Sequence, residues 1–113
     1  MTRVTVTRRV VADPPGVALL LAEPQPWADA GYSWRVQPPT RDGDQFTAEL
    51  HVTDPAHRSL AGDITVTPSD VTGCELRLVV DAPNRAAARR LERSAAAFLD
   101  ALGVRARERS AAA

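Results

Sequence analysis

The sequence lacks a second cysteine and any long apolar run. Cys74 is its only cysteine, so an intramolecular disulfide is excluded and a reducing location is the expectation. The longest apolar run, Val17 to Ala22, is far shorter than the roughly 20 residues that cross a bilayer. The N-terminus alternates in polarity and shows no signal peptide. We therefore expect a cytoplasmic protein without a membrane span.

The sequence also lacks lysine and any excess of charge. All fourteen basic residues are arginine, and fourteen acidic residues balance them. A chain without net charge has no overall field to attract nucleic acid, so we expect no nucleic-acid partner. Two histidines with no close second ligand are not enough for a zinc site, and we expect no metal or other cofactor. The arginine and alanine usage indicates a GC-rich bacterial genome.

What is present is the composition of one globular domain. The 113 residues are 44% apolar and 25% charged, which is typical of a domain that folds around one core. Aromatic residues make up only 4%, so the core is expected to be mainly aliphatic. We place the domain at residues 1–104 and expect residues 105–113 to form a frayed tail.

Alternation of apolar and polar side chains predicts five strands. A period of two residues is typical of a strand with one buried face. The pattern covers residues 3–11, 32–37, 46–53, 60–67 and 74–81. Turn signals such as Arg41-Asp42-Gly43-Asp44 separate them, and the short connections indicate a consecutive antiparallel meander. Residues 27–31 are predicted to be a surface connection.

Two helices complete the pattern. Asp13 is expected to cap a short apolar helix at residues 14–22, which Glu23-Pro24-Gln25-Pro26 ends. The final helix begins after Asn84, carries apolar residues at three- and four-residue steps, and has Gly103 as its predicted C-cap. The expected fold is α+β in the order β-α-β-β-β-β-α, with a five-stranded antiparallel sheet packed on the last helix.

Several segments together carry a family resemblance. They are Val4-Thr5-Val6-Thr7, Ala12-Asp13-Pro14-Pro15-Gly16-Val17, Pro26-Trp27, the run of strands and the closing helix from Arg85 to Leu102. In this order they resemble the START-like, or SRPBCC, helix-grip superfamily, which includes polyketide cyclases, aromatase/cyclases and lipid-transfer proteins. The resemblance covers most of the chain and implies a small hydrophobic or amphipathic molecule bound between the sheet and the final helix. Members usually carry a second short helix and two more strands, and the pattern here predicts neither.

The resemblance also implies which side chains would line the ligand site. They are Tyr32, Trp34, Phe46, Leu50, Ile64, Leu76, Leu78, Leu91, Ala95 and Phe98. Such sites are mostly apolar with a few polar groups. The alternative, favoured by the close packing of protein interiors, is that these residues fill a solid core. An interaction module that pairs as a homodimer is then the competing function.

Arg8 interrupts the valine series of the first strand. Its guanidinium could orient a ligand's carboxylate or pair with an acid, and we include it among the candidate ligand-binding residues. A position near the strand end, with the charge reaching water, is the favoured interpretation. A second basic cluster consists of Arg85, Arg89, Arg90 and Arg93. It could contact phosphate, but a solvated helix face is the favoured interpretation.

Groups for acid–base or nucleophilic chemistry are nearly absent from the inward positions of the strands. Cys74 and Tyr32 have the only inward polar atoms, and no inward histidine could activate the thiol. His51 and His57 are expected at the surface. Noncatalytic binding of a small hydrophobic or amphipathic molecule is therefore the favoured function, and a polyketide cyclase-like enzyme the least favoured.

Overall fold

One antiparallel sheet and two helices make up the part of the chain that the structure describes. The structure is a computed structural model and describes residues 1–23, 27–69 and 73–112. Its elements are β1 (Thr2–Val10), α1 (Pro14–Leu21), β2 (Trp27–Asp29), β3 (Tyr32–Val36), β4 (Thr40–Asp42), β5 (Gln45–Thr53), β6 (Ser59–Pro68), β7 (Cys74–Ala82) and α2 (Arg85–Ala112). The strands follow the order β1-β7-β6-β5-β3-β2 across the sheet, and β4 also pairs with β5. The predicted consecutive meander therefore holds for β3, β5, β6 and β7 but is wrong for β1, which pairs with β7. The α+β class and the antiparallel sheet packed on a long C-terminal helix are confirmed.

Seven strands, not five, are formed by the described residues. β2 and β4 are each three residues long, too short for an alternating pattern to be recognised. β2 joins β3 through a two-residue turn in which Ala30 and Gly31 have positive φ angles of 49° and 85°. Such turns usually carry asparagine, aspartate or glycine at the first position, so Ala30 gave no turn signal. The predictions of a surface connection at residues 27–31 and of no further strands are wrong.

The long strands confirm the predicted alternation. Val6 of β1 lies opposite Leu78 of β7, which lies opposite Ile64 of β6. All three side chains are buried in one apolar core. β5 shows the same pattern, with Leu50 buried and its neighbour Glu49 exposed. Residues 24–26, predicted to end α1, and Asp70, part of the turn predicted before β7, lie outside the described residues.

α2 begins where the sequence predicts but ends later. Asn84 caps the helix, with its Oδ1 accepting a 2.9 Å hydrogen bond from the backbone N–H of Ala87. The helix then continues through Gly103 to residue 112, so the predicted C-cap at Gly103 is wrong. A glycine inside a helix costs about 1 kcal/mol relative to alanine. Burial of Ala106, one turn further on, favours the longer helix despite that cost.

α1 is a short helix that covers one end of the core. It follows Asp13, whose backbone carbonyl accepts a 3.2 Å hydrogen bond from the N–H of Val17, while the carboxylate makes no capping bond. Val17, Leu20 and Leu21 are buried against the core. Neither α1 nor α2, within the described residues, is long and apolar enough to cross a membrane.

Ion pairs join the last turns of α2 to the end of α1. Nη2 of Arg105 lies 2.5 Å from Oε2 of Glu23, and Arg109 pairs with the other oxygen of the same carboxylate. These pairs connect residues more than 80 positions apart in the chain. The segment predicted to be a frayed tail is instead helical up to residue 112, and Arg105 and Arg109 connect it to Glu23.

Candidate ligand-binding site

The space between the middle of α2 and the sheet is filled by aromatic side chains. The rings of Trp34 and Phe98 stack, with centroids 5.1 Å apart and planes 9° apart. Trp27 packs against the same Phe98 ring at 5.4 Å. The cavity that remains beside them has a volume of about 30 Å³, enough for roughly one or two water molecules. An organic ligand therefore does not fit between α1 and Phe98.

A larger pocket, which we call the α2 pocket, lies at the beginning of α2. Its volume is about 380 Å³, within the range typical of small-molecule sites. Its lining residues are Ala87, Arg90, Leu91, Arg93 and Ser94 from α2, Ala30 and Tyr32 from the β2–β3 turn, and Asp54, Pro55, Ala56, Arg58 and Leu60 from the β5–β6 hairpin. The pocket is thus built from three segments that are distant in sequence.

The spacing of residues on α2 explains why the helix contributes an apolar floor. Ala87, Leu91 and Ser94 recur at steps of four and three residues, which places them one above another on one helix face. All three are buried. Arg90 and Arg93 lie beside this stripe and are exposed. The pocket therefore has an apolar floor with a basic border.

The β2–β3 turn places Tyr32 beside the β5–β6 hairpin. Gly31 packs directly on Pro55, since a Cβ added to Gly31 would lie 3.2 Å from Cγ of Pro55. Only glycine combines this close approach with a positive φ angle at low cost. Tyr32, which is 8% exposed, and Pro55 consequently form adjacent parts of the pocket wall.

Asp54 organises the β5–β6 hairpin at the edge of the pocket. Its Oδ1 accepts hydrogen bonds from the backbone N–H groups of Ala56, at 2.9 Å, and Arg58, at 2.8 Å, and its Oδ2 accepts one from Nε of Arg58 at 2.8 Å. Burial raises the pKa of Asp54, but the hydrogen bonds and the charge of Arg58 more than compensate and hold the pKa below the ordinary value of 3.8. The charges of Asp54 and Arg58 therefore neutralise each other.

A hydrogen bond ties the inner wall of the pocket to the core. Nε1 of Trp34 donates to Oγ of Ser94 at 2.9 Å, and both residues are buried. Because Oγ of Ser94 accepts this bond, its own hydroxyl proton remains available as a donor. Tyr32 belongs to the same lining, and its hydroxyl can also donate. The wall thus offers two hydroxyl donors beside apolar surface.

The basic border of the pocket comes from Arg90 and Arg93. Both side chains are exposed and both line the α2 pocket. Among the described residues, no ion pair involves either of them. Since the Asp54 carboxylate is already paired with Arg58, the pocket carries a net positive charge.

The structure separates the predicted lining residues into several groups. Tyr32 and Leu91 line the α2 pocket, whereas Trp34 and Phe98 border the 30 Å³ cavity. The fully buried core contains Leu50, Ile64, Leu76, Leu78 and Ala95. Phe46 is half-buried at the start of β5, where the guanidinium of Arg41 lies 6.0 Å from its ring centre. Most of the predicted set therefore packs as a solid core, the alternative that the sequence left open.

Arg8 and Cys74 lie away from the α2 pocket. Nε of Arg8 donates a 3.0 Å hydrogen bond to Oδ1 of Asp100 on the surface. Of the roles considered for Arg8, the structure shows pairing with an acidic residue. Cys74 is buried, and that burial, with the nearby charge of Asp13, raises the pKa of its thiol to about 11. A thiol that stays protonated at neutral pH is a poor nucleophile.

Groups that could hold a metal ion are not brought together in the ranges that the structure describes. No cluster of three or more histidine, cysteine, aspartate or glutamate side chains is placed to bind a metal there. His51 and His57 are exposed, as the sequence predicts. The chemistry available in the α2 pocket is therefore recognition through arginines, hydroxyls and apolar surface.

Sequence reasoning missed most of the α2 pocket. Pro55, Arg58 and Leu60 belong to a hairpin whose position depends on the whole sheet, and no local pattern marks them. Arg90 and Arg93 did give a signal, because two arginines beside the apolar stripe of a predicted helix form a basic border to any groove on that face. A solvated helix face is the favoured interpretation of that signal, so the sequence alone does not assign the two arginines to a pocket.

Comparisons with known proteins support the fold. No protein-family model matches the chain, and no curated protein matches it either. Among solved structures, protein MLL2253 from Mesorhizobium loti is 21% identical with a TM-score of 0.52, over 89% of this chain and 90% of that one. Protein CV1439 from Chromobacterium violaceum is 17% identical with a TM-score of 0.35, over 76% of this chain and 83% of that one. The similarity to MLL2253 shows a shared fold over nearly the whole chain, and membership of the START-like superfamily stays a prediction.

Proposed function

We propose that the protein binds a small amphipathic molecule, without chemical turnover, in the α2 pocket. The observation that supports this proposal is a space of about 380 Å³ with an apolar floor, two hydroxyl donors and a basic border. Sites for small molecules typically combine mostly apolar lining with a few polar groups that orient the ligand. The ligand class is the one implied by the family resemblance, but the proposed position is the pocket at the beginning of α2 instead of the space between the sheet and the middle of that helix.

Binding without turnover is favoured by the state of the polar groups in the pocket. A catalytic site needs a general base or an activated nucleophile in reach of the substrate. Asp54 is the carboxylate in the lining, and both of its oxygens accept hydrogen bonds. Ser94 receives a hydrogen bond from an indole, which cannot take up the serine proton. The polar groups of the lining therefore favour binding over catalysis.

The test uses 1-octanol as a neutral amphiphilic probe and backbone amide NMR as the readout. We expect saturable chemical-shift changes at residues 30–32, 54–60 and 87–94, because these segments surround the α2 pocket. Native mass spectrometry of protein purified from its own host would then identify a retained natural ligand. Absence of saturable changes at these segments would contradict the proposal.

A pair of phenylalanine substitutions provides a matched control. Ala87→Phe places a ring in the α2 pocket, whereas Ala86→Phe adds the same ring at an exposed position one residue earlier. We expect Ala87→Phe to weaken octanol binding by about tenfold or more, and Ala86→Phe to change it by less than about twofold. Equal affinities of the two variants would place octanol elsewhere. The map of shifts in the unmodified protein tests the site independently should Ala87→Phe fail to fold.

A second candidate function is an interaction module that forms a homodimer. Two apolar side chains are exposed just beyond the end of β1. They are Val11, which is 62% exposed, and Val104, which is 48% exposed, and both line the same groove. Exposed apolar side chains with charged residues around them, here Arg8, Arg9, Asp100 and Arg107, are found at interaction sites. Sedimentation at micromolar concentration tests this candidate: a dimer that Val104→Asp dissociates would support it, and a monomer would exclude it.

A further inference from the structure

The two arginines of the α2 pocket line it together, and neither takes part in an ion pair with a described residue. Arg90 and Arg93 are three residues apart on a helix, which makes their side chains neighbours on its surface. Like charges at this spacing repel each other. Within the described part of the chain neither takes part in an ion pair, and the Asp54 carboxylate is held by Arg58. An anion bound to both guanidinium groups would relieve this repulsion.

The charge distribution along α2 leads to the same conclusion. Arg85 begins the helix and its first turn has no acidic residue, although helix N-termini favour anions over cations. Glu92 lies in a different groove, on the side of α2 that faces β1, together with Arg85 and Arg89. Glu92 therefore shares a groove with those two arginines and does not line the α2 pocket. An unfavourable arrangement of charges that neighbouring residues do not offset is typical of a functional site.

The remaining polar groups of the pocket also suit an anion. The hydroxyl protons of Tyr32 and Ser94 are available to donate, since Oγ of Ser94 is already the acceptor for Trp34. A carboxylate only accepts hydrogen bonds, so it suits hydroxyl and guanidinium donors alike. A ligand group that donates would leave the arginines unpaired.

Building on the proposed function, we propose that the ligand of the α2 pocket is a carboxylic acid. Its carboxylate binds Arg90 and Arg93 at the mouth of the pocket, and its apolar part lies on Leu60 and Leu91. Guanidinium groups bind carboxylates through two parallel hydrogen bonds. Guanidinium groups bind phosphate in the same way, so octyl phosphate serves as the competing probe.

The experiment compares octanoate with 1-octanol at neutral pH, using the same amide shifts as the readout. The two probes share an eight-carbon chain and differ in the charged head group. We expect octanoate to bind at least about tenfold more tightly than octanol, and added salt to weaken octanoate alone. Equal affinities would overturn the carboxylate inference and leave the proposed function intact. If neither probe shifts the pocket amides, the proposed function fails as well.

Two double variants separate the pocket arginines from the others on α2. Arg90→Ala with Arg93→Ala should reduce octanoate affinity by about tenfold or more and change octanol affinity by less than about twofold. Arg85→Ala with Arg89→Ala removes the same charge from two helix positions that do not line the α2 pocket and should leave both affinities within about twofold. A similar loss of octanoate affinity in both variants would overturn the assignment. Octyl phosphate binding more than about tenfold tighter than octanoate would overturn the choice of a carboxylate.

Discussion

The indole N–H of Trp34 donates a 2.9 Å hydrogen bond to Oγ of Ser94. Trp34 belongs to β3 and Ser94 to α2, so the bond joins the sheet to the helix in the buried interior. The same indole stacks on Phe98, while Ser94 lines the α2 pocket. The inner wall of the pocket is consequently part of the packed core, and its shape depends on that packing.

Ser94→Ala should destabilise the protein by about 1–3 kcal/mol, because the buried indole N–H of Trp34 would lose its acceptor. Urea unfolding followed by tryptophan fluorescence measures the change. Ser59→Ala, at an exposed position at the start of β6, is the control and should stay within about 0.5 kcal/mol. Equal effects of the two substitutions would mean that the bond to Ser94 adds nothing to stability.

Asp54→Asn should lower stability at neutral pH and lose its effect in acid. The substitution weakens the hydrogen bonds to Arg58, and we expect it to cost about 1.5 kcal/mol of stability. This value is at the lower end of the range for hydrogen bonds to charged groups, because the side chain of Arg58 is about half exposed. The pKa of Asp54 is below 3.8 in the folded state. Its contribution is thus fully present above the unfolded pKa and is lost as pH falls through the folded pKa.

Unfolding free energies of the two proteins across the acid range test this expectation. The difference between them should be constant above about pH 5 and should narrow below pH 3.8. Asp44→Asn, at an exposed turn position, is the control and should change stability by less than about 0.5 kcal/mol. A difference that does not depend on pH would show that the carboxylate charge of Asp54 is not involved.

Gly31→Ala should be more destabilising than Gly43→Ala, although both glycines have positive φ angles. A Cβ on Gly31 would lie 3.2 Å from Pro55, while one on Gly43 would have no neighbour within 4 Å. Left-handed backbone costs an alanine about 1–2 kcal/mol, which reduced freedom of the unfolded chain partly offsets. Chemical denaturation should show a loss at least about 1 kcal/mol larger for Gly31→Ala. Comparable losses would mean that the turn moves away from Pro55 freely.

The parts of the fold that the sequence predicted are those in which local pattern and tertiary packing agree. In β5 the alternation of Leu50 and Val52 with Glu49 and His51 corresponds directly to buried and exposed faces. The short β2 strand depends on pairing with β3 and on a turn that contains Ala30, and neither leaves a local trace. The periodicity of the sequence therefore does not predict short strands that are stabilised by pairing with their neighbours.

The α2 pocket was unpredictable for a different reason. Its three segments meet only because the sheet brings residues 54–60 and the β2–β3 turn beside the start of α2. The aromatic stack of Trp34 on Phe98 fills the place that the family resemblance implied for a ligand. Which of two apolar regions is solid and which is open depends on side-chain volumes in three dimensions, and a linear pattern does not contain that information.

Glu23→Gln should loosen the last turns of α2, since the Glu23 carboxylate pairs with both Arg105 and Arg109. The sequence indicated an end at Gly103, and these long-range pairs are among the contacts that favour a longer helix. Each partly exposed pair contributes at most about 1 kcal/mol, so global stability should fall only slightly. The sensitive measurement is amide hydrogen exchange at residues 105–112, which reports local opening. We expect faster exchange there and little change in the sheet.

Salt and a matched variant separate the ion pairs from other effects of the same substitution. High salt screens partly exposed charges, so it should speed exchange at residues 105–112 in the unmodified protein and have little further effect in Glu23→Gln. Glu108→Gln removes an exposed carboxylate from the same helix segment and should leave exchange unchanged. If exchange at residues 105–112 responds equally to both substitutions, or to neither, the anchor at Glu23 does not hold the end of α2, and burial of Ala106 must hold it instead.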